Sequence, residues 1–222
     1  MRKMNIAIDG PAGAGKSTVA RATANRLGFK YVDTGAMYRA VTWAVLQRHI
    51  AFDIVQIANH IAIRLESTEE GTAVYVDGQE VTEAIRSPEV TANVSAIAAI
   101  ADVREVLVQR QQQMATAGGV VMDGRDIGTK VLPDAELKIF LTASIKERAK
   151  RRLAEMQDKG IDVALEKMEQ ELASRDRRDR ERKESPLKKA DDAIEIDTTN
   201  LMLNDVVEKI LQLARTHTGN FE

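Results

Sequence analysis

Residues 5 to 17 read Asn5-Ile6-Ala7-Ile8-Asp9-Gly10-Pro11-Ala12-Gly13-Ala14-Gly15-Lys16-Ser17. Asn5 to Asp9 is a short β-rich run, the glycines interrupt it, and Ser17 to Leu27 resumes with helical spacing that stops at Gly28. Gly10, Gly15, Lys16 and Ser17 fall at the spacing G-x-x-x-x-G-K-[ST], between a strand and a helix. Glycines let the backbone curl until several N–H groups point at phosphate oxygens, and the helix start adds the positive end of its dipole. The stretch is therefore read as a loop for nucleoside triphosphate. Gly10, Pro11, Ala12, Gly13, Ala14, Gly15, Lys16, Ser17 and Thr18 are the expected ATP-binding residues, with Lys16 on the β- and γ-phosphates and Ser17 as ligand to Mg²⁺.

Outward from the loop the strand-then-helix beat continues. Phe29 to Val32 reads as a second strand, and Asp33-Thr34-Gly35 caps a helix carrying Tyr38, Val41, Val45 and Leu46. The middle breaks the beat. Ile61–Leu65, Ala73–Val76 and Gln79–Val81 read as the short strands of a small β insert, the last two joined by the hairpin signal Asp77-Gly78. Ser87-Pro88-Glu89 starts a helical pattern that runs, with a break near Ala101-Asp102, to Gly118-Gly119. Val120 to Met122 and Leu137 to Leu141 are buried-type strands. Ser144 with Glu147 forms a capping box for a helix reaching Gly160, and Asp162 caps the next one, which ends in the charge run Ser174 to Glu184. Ala193 to Ile196 is the last strand and Asn204 to Leu213 the closing helix. The fold class expected from this order is α/β.

A chain of 222 residues buries one sizeable core with material left for a lid or small subdomain. Its 44% hydrophobic and 30% charged residues exclude a disordered or fibrous class. A net charge of -2 argues against the phosphate-neutralising surface of a nucleic-acid binder. No cysteine is present, which excludes disulfides, thiolate catalysis and a thiolate zinc site together. Met1 to Met4 runs straight into an apolar strand with no long apolar region behind it, so neither a signal peptide nor a membrane span is expected, and the expected compartment is the cytoplasm. No heptad or long apolar edge calls for a dimer, so a monomer is expected. His49, His60 and His217 stand in no motif and read as surface or helix residues.

The phosphate loop specifies the donor and leaves the acceptor open. A GTPase would carry a guanine-reading Asn-Lys-x-Asp, which this chain lacks. A remodelling ATPase would end an apolar strand in Asp-Glu, whereas the candidate strand here ends Asp123-Gly124-Arg125-Asp126. A small-molecule kinase remains. Asp123 is a candidate to hold a magnesium-bound water, with a turn carboxylate capping Gly124-Arg125 as the structural alternative.

A kinase whose acceptor is itself phosphorylated must hold two polyanions in line and cancel their repulsion with fixed cations. Arginine serves because its planar fork binds phosphate bidentately. Candidates are Arg39, Arg104, Arg125 and the cluster Arg175, Arg177, Arg178, Arg180 and Arg182. Arg125 and Asp126 follow a buried strand, at the edge where open α/β sheets line their cleft. Arg175, Asp179 and Arg182 form one helical stripe, read either as a salt-laced solvated face or as an arm closing over ATP.

Gly10 to Ser17, Asp33-Thr34-Gly35-Ala36-Met37-Tyr38-Arg39, Asp123-Gly124-Arg125-Asp126-Ile127-Gly128, Arg175-Asp176-Arg177-Arg178-Asp179-Arg180 and Ile196-Asp197-Thr198-Thr199 together resemble bacterial cytidylate kinase, in the same order over essentially the whole chain. The resemblance implies a P-loop core with a five-stranded parallel sheet: core 1–36, 102–157 and 188–222, an acceptor-binding arm 37–101 with a β insert at 61–86, and a helical lid 158–187. It implies transfer of the γ-phosphoryl group of ATP to CMP or dCMP. Thr34, Arg39, Arg125 and Arg182 are implied at the acceptor phosphate, Ser95, Arg104 and Asp126 at cytosine, and Arg175 and Asp179 at the ribose. Lys16, Arg125, Arg178 and Arg182 are the implied catalytic groups. The family often has serine where this chain has Thr34, which keeps the hydroxyl.

The chemistry of the base agrees. Cytosine offers an exocyclic N4 donor where uracil offers an acceptor, so a carboxylate such as Asp126 accepts from the first and repels the second, while Arg104 donates to O2 and N3. Rival readings are a P-loop kinase for UMP, AMP or another metabolite, and a non-catalytic nucleotide-dependent RNA-binding protein. The 4% aromatic content counts against the second, because single-strand binders add stacking platforms.

Overall fold

The computed structural model describes residues 4–48, 53–68, 71–158, 160 and 163–218. Five strands, β1 (Asn5–Asp9), β2 (Lys30–Asp33), β6 (Val120–Gly124), β7 (Leu137–Thr142) and β8 (Ile194–Asp197), form one sheet in the order β2-β6-β1-β7-β8, every pair parallel. β1 and β6 are buried along their whole length, as strands covered by helices on both faces must be. Asn5 satisfies its side chain by donating Nδ2 to Ala115 O (3.1 Å) and accepting from Val120 N (3.3 Å), which ties the sheet's lower edge to the helix before β6.

Helices α1 (Lys16–Leu27) and α8 (Leu203–Thr218) cover one face, where Val19, Ala20, Val207, Ile210 and Leu211 pack on Ile6, Ile8 and Leu141. α2 (Thr34–Gln47), α4 (Pro88–Ile97) and α5 (Ala101–Ala115) build a second core with the insert, centred on Met37, Val41, Val74, Ile85 and Leu107. The insert is a three-stranded antiparallel sheet, β3 (Ile63–Ser67), β4 (Thr72–Val76) and β5 (Gln79–Glu80), in the order β3-β4-β5. α6 (Ile145–Gln157) and α7 (Leu165–Glu181) pair around Ala149, Met168 and Leu172, with Ala12 of the phosphate loop in the same cluster.

The five-stranded parallel sheet, the insert and most helix starts match the sequence reading. Asp33 accepts from Ala36 N at 2.9 Å and Ser144 from Glu147 N at 3.2 Å, both as expected. Several readings are corrected. The first insert strand lies two residues later than Ile61–Leu65, because the chain first makes α3 (Ile54–His60), capped by Asp53 accepting from Val55 N at 2.9 Å. Ile61 ends that helix, and Arg110 holds its carbonyl at 2.9 Å. The helical break precedes Ala101 and falls at 98–100. A single π turn at Ile127–Val131 was not foreseen. His60 and His217 are exposed helix residues as read, whereas Asp162 and His49 lie outside the described residues. No described helix is long and apolar enough to cross a membrane.

Gly10 has φ 147° and faces the backbone of β7, where an added Cβ would collide with the Leu141 carbonyl oxygen. Gly10→Ala should therefore cost about 3 kcal/mol of stability, read as a lowered denaturant midpoint at unchanged m-value. A midpoint within about 0.5 kcal/mol of wild type would contradict this packing.

Candidate active site

The phosphate loop curls because Gly10, Gly13 and Gly15 adopt positive φ of 147°, 76° and 85°. Gly15 caps α1 in the left-handed conformation with no side-chain cap, leaving the helix N-terminus open to an anion. Lys16 is buried and donates to Pro11 O at 2.8 Å, which folds its ammonium back over the loop. Gly10, Pro11 and Ala14 are buried in the loop and shape it. Gly13, Gly15, Lys16, Ser17 and Thr18 line a cavity of about 790 Å³ that opens between the loop, α1 and the β insert.

The loop is also held from behind. Arg148 on α6 donates to Ala12 O and to Ala143 O, both at 3.0 Å, and pairs at 2.7 Å with Asp176 on α7, all four residues being buried. Arg151 donates to the Thr198 hydroxyl (3.0 Å) and carbonyl (2.7 Å) at the end of β8. A Cβ on Gly13 would stand 3.1 Å from that of Arg148, so this strut needs glycine in the loop.

At the end of β6, Asp123 collects three hydroxyls. Ser17 Oγ donates to Oδ2 at 3.0 Å, Tyr31 OH to Oδ1 at 2.7 Å and Thr34 Oγ1 to its carbonyl at 2.7 Å. Burial pushes the Asp123 carboxyl up and the Lys16 ammonium down, and Tyr31 is raised by the same burial. Ser17 and Asp123 thus offer two hard oxygens at the mouth of the loop, a donor set that fits Mg²⁺ keeping part of its water shell.

A second cavity, of about 200 Å³, lies between α2, α4, α7 and the end of β6. Every acceptor residue read from the sequence lines it: Thr34, Arg39, Ser95, Arg104, Arg125, Asp126, Arg175, Asp179 and Arg182. At one end Tyr38, Val94 and Ala98 form apolar walls around Ser95, and Asp126 pairs with Arg104 and, at 3.5 Å, with Arg182. Arg104 also donates to Ala98 O at 3.1 Å and lies 5.4 Å from the Tyr38 ring centre. At the other end Arg125 pairs with Asp179 at 2.9 Å, and Arg39 is aimed by Ile85 O (3.1 Å) and Thr91 Oγ1 (2.9 Å).

Arg178 is the exception among the proposed catalytic residues. It lies on the exposed face of α7, lines neither cavity, and contributes its carbonyl to Arg182 N at 3.1 Å. Four side chains escaped the sequence reading. Arg86 and Arg152 line both cavities together with Gly13, Lys16, Ser17 and Asp33, and Tyr31 and Tyr38 line one each. Arg152 sits four residues after Arg148 in a basic helix, a spacing that alone reads as a solvated face.

Eight cationic side chains line the smaller cavity against four carboxylates. Burial, then Arg125 and Arg39, pull the Arg175 guanidinium down to about 9, and its Nε has no hydrogen-bond partner. Arg39 is pulled down to about 10 by burial, with Arg86 and Arg152 adding to the effect and Asp33 opposing it. Burial raises Asp179, yet Arg125, Arg175 and Arg182 together outweigh it and hold the carboxyl below its usual range. Such a cluster is strained when empty and is relieved by an anion.

The family model for cytidylate kinase matches residues 6–216. A cytidylate kinase of Bacillus cereus is 51% identical over 216 residues, covering 96% of either chain. One of Bacillus thuringiensis is 51% identical over 214 residues, covering 95% of either. Among solved structures, an uncharacterized protein from Eubacterium ventriosum superposes with a TM-score of 0.53 at 13% identity, over 96% of this chain and 99% of that one. A gluconokinase from Sinorhizobium meliloti gives 0.51 at 16% identity, over 100% and 99%. At those identities the likeness concerns the fold alone.

Arg175→Met removes one of the repelling charges. Its melting temperature without ligand should equal or exceed that of wild type, while the rise produced by inorganic pyrophosphate should be at least halved, by roughly 1 kcal/mol of lost binding. A variant that melts lower yet keeps the full pyrophosphate shift would contradict the assignment of this cluster to an anion.

Proposed function

The chain belongs to the cytidylate kinase family and is an ATP-dependent nucleoside monophosphate kinase, and from that membership we propose how its own residues choose CMP and dCMP and carry the γ-phosphoryl group to them. The observation that carries the reading is the shared wall of the two cavities. Lys16, Ser17, Arg86 and Arg152 face both, so a triphosphate on the loop and a monophosphate in the smaller cavity meet there. Meeting in line is most of what phosphoryl transfer requires of a protein.

In this account the loop amides and Lys16 hold the β- and γ-phosphates, Lys16 leaving Pro11 O as the anion arrives. Ser17, with Asp123 through water, would hold Mg²⁺, which would supply charge neutralisation on the triphosphate. Thr34, Arg39 and Arg125 take the acceptor phosphate, and Arg175 and Asp179 the ribose. Arg152 and Arg182 add charge where the phosphoryl group is in flight, a role the exposed Arg178 does not reach from its present position. The acceptor phosphate is already anionic, so no strong general base is needed.

The base sits between Tyr38, Val94 and Ala98. Asp126 accepts from cytosine N4, held in orientation by Arg104 and Arg182. Uracil presents O4 to the same carboxylate, leaving two acceptors facing each other in a buried slot, which a site of this kind rejects strongly.

ADP formation from Mg-ATP with CMP, dCMP, UMP and AMP as separate acceptors tests the reading, with wild type and Asp126→Ala side by side. CMP and dCMP should turn over best, and Asp126→Ala should lose on the order of 100-fold in kcat/KM for CMP. A preference for UMP or AMP in wild type would overturn the base assignment.

A further inference from the structure

Asp9 closes β1 directly before the phosphate loop, yet it lines neither cavity. Its carboxylate is spent on backbone. Oδ1 accepts from Ile127 N at 2.8 Å and Oδ2 from Gly128 N at 2.7 Å. These are the two residues that follow Asp126 and open the π turn Ile127–Val131. On the other side, the Asp126 carbonyl accepts from Lys130 N (2.9 Å) and Val131 N (3.2 Å), so Asp126 is the cap of a turn whose first two amides are anchored to β1. Gly128 is pressed into the same contact, because a Cβ there would stand 3.2 Å from Lys138 Cδ and 3.4 Å from Asp9 Oδ2.

The anchor opposes a pull. Arg104 and Arg182 both pair with the Asp126 side chain, and nothing in that pairing fixes the backbone beneath it. A buried carboxylate is a costly way to hold two amides, and burial does push Asp9 up, to about 6. The cost is understandable if the position of the turn matters beyond stability. We propose that Asp9 is a positioning residue for recognition of the acceptor base: through the Ile127 and Gly128 amides it sets where Asp126 meets the exocyclic amine. This rests on the assignment of Asp126 to the base.

Asp9→Asn keeps the volume but can accept from only one amide, since its NH₂ faces the other. Gly128→Ala disturbs the same contact from the opposite side and leaves Asp9 intact. The test is the ratio of kcat/KM for CMP over UMP at saturating Mg-ATP, with thermal unfolding of each variant and Asp126→Ala beside them. A shift of the carboxylate by a fraction of an ångström should lower the ratio about tenfold in Asp9→Asn and at least roughly threefold in Gly128→Ala, mainly through KM for CMP, with KM for ATP within about twofold. A purely structural role lowers the melting temperature and the active fraction for both acceptors alike and leaves the ratio at its wild-type value. If Asp9→Asn does not fold, Gly128→Ala decides. Wild-type ratios in the foldable variants, with a lowered ratio in Asp126→Ala, overturn the role of Asp9 and spare the base reading; a wild-type ratio in Asp126→Ala overturns both.

Discussion

Like charges held together in a buried cleft are the constraint on which the rest of the structure depends. Arg39, Arg125 and Arg175 face one another in the smaller cavity, and burial, with neighbouring guanidiniums adding to it, weakens the protonation of Arg39 and Arg175. A chain selected for stability alone would have no use for this arrangement. It becomes sensible once the ligands are two polyanions, which repel each other in water and need fixed cations between them to approach in line. The buried cores on the sheet and under the insert hold these charges where they would not otherwise stay.

The cleft is assembled from parts distant in sequence, and buried polar contacts join them. Asp123 binds the loop through Ser17, the second strand through Tyr31 and the acceptor helix through Thr34. Arg148 joins α6, the loop carbonyl of Ala12 and Asp176 of α7 in one buried cluster. Removing one member of such a pair leaves an uncompensated charge, so these joints are rigid and geometrically demanding. The phosphate loop, α2 and α7 therefore share struts, so a shift of one is passed to the others.

The parts that were legible in the sequence are those in which local chemistry decides the structure. Gly10, Gly15, Lys16 and Ser17 need no tertiary context to be read as a phosphate loop, and Asp33 and Ser144 act as caps because their side chains reach their own helices. The acceptor residues came from motif likeness, and all of them do line one cavity. The illegible parts depend on distant partners. The π turn after Asp126 exists because Asp9, more than a hundred residues earlier, accepts its amides. Arg152 belongs to the site because of where α6 docks, and no helical periodicity distinguishes it from its exposed neighbours. Arg178 shares a motif with Arg175 and Asp179, but the turn of α7 carries it to the outer face, away from both cavities. α3 was missed because seven residues are too few for a helical period to declare itself.

The central claim is that one set of fixed cations serves two nucleotides meeting end to end. Calorimetric titration with a bisubstrate analogue, cytidine joined to adenosine through a pentaphosphate, addresses it directly. The account predicts an affinity at least about 100-fold above that of ATP or CMP alone, falling steeply with added salt, and a markedly weaker uridine counterpart. An analogue that binds no more tightly than ATP, or equally well with either base, would contradict it.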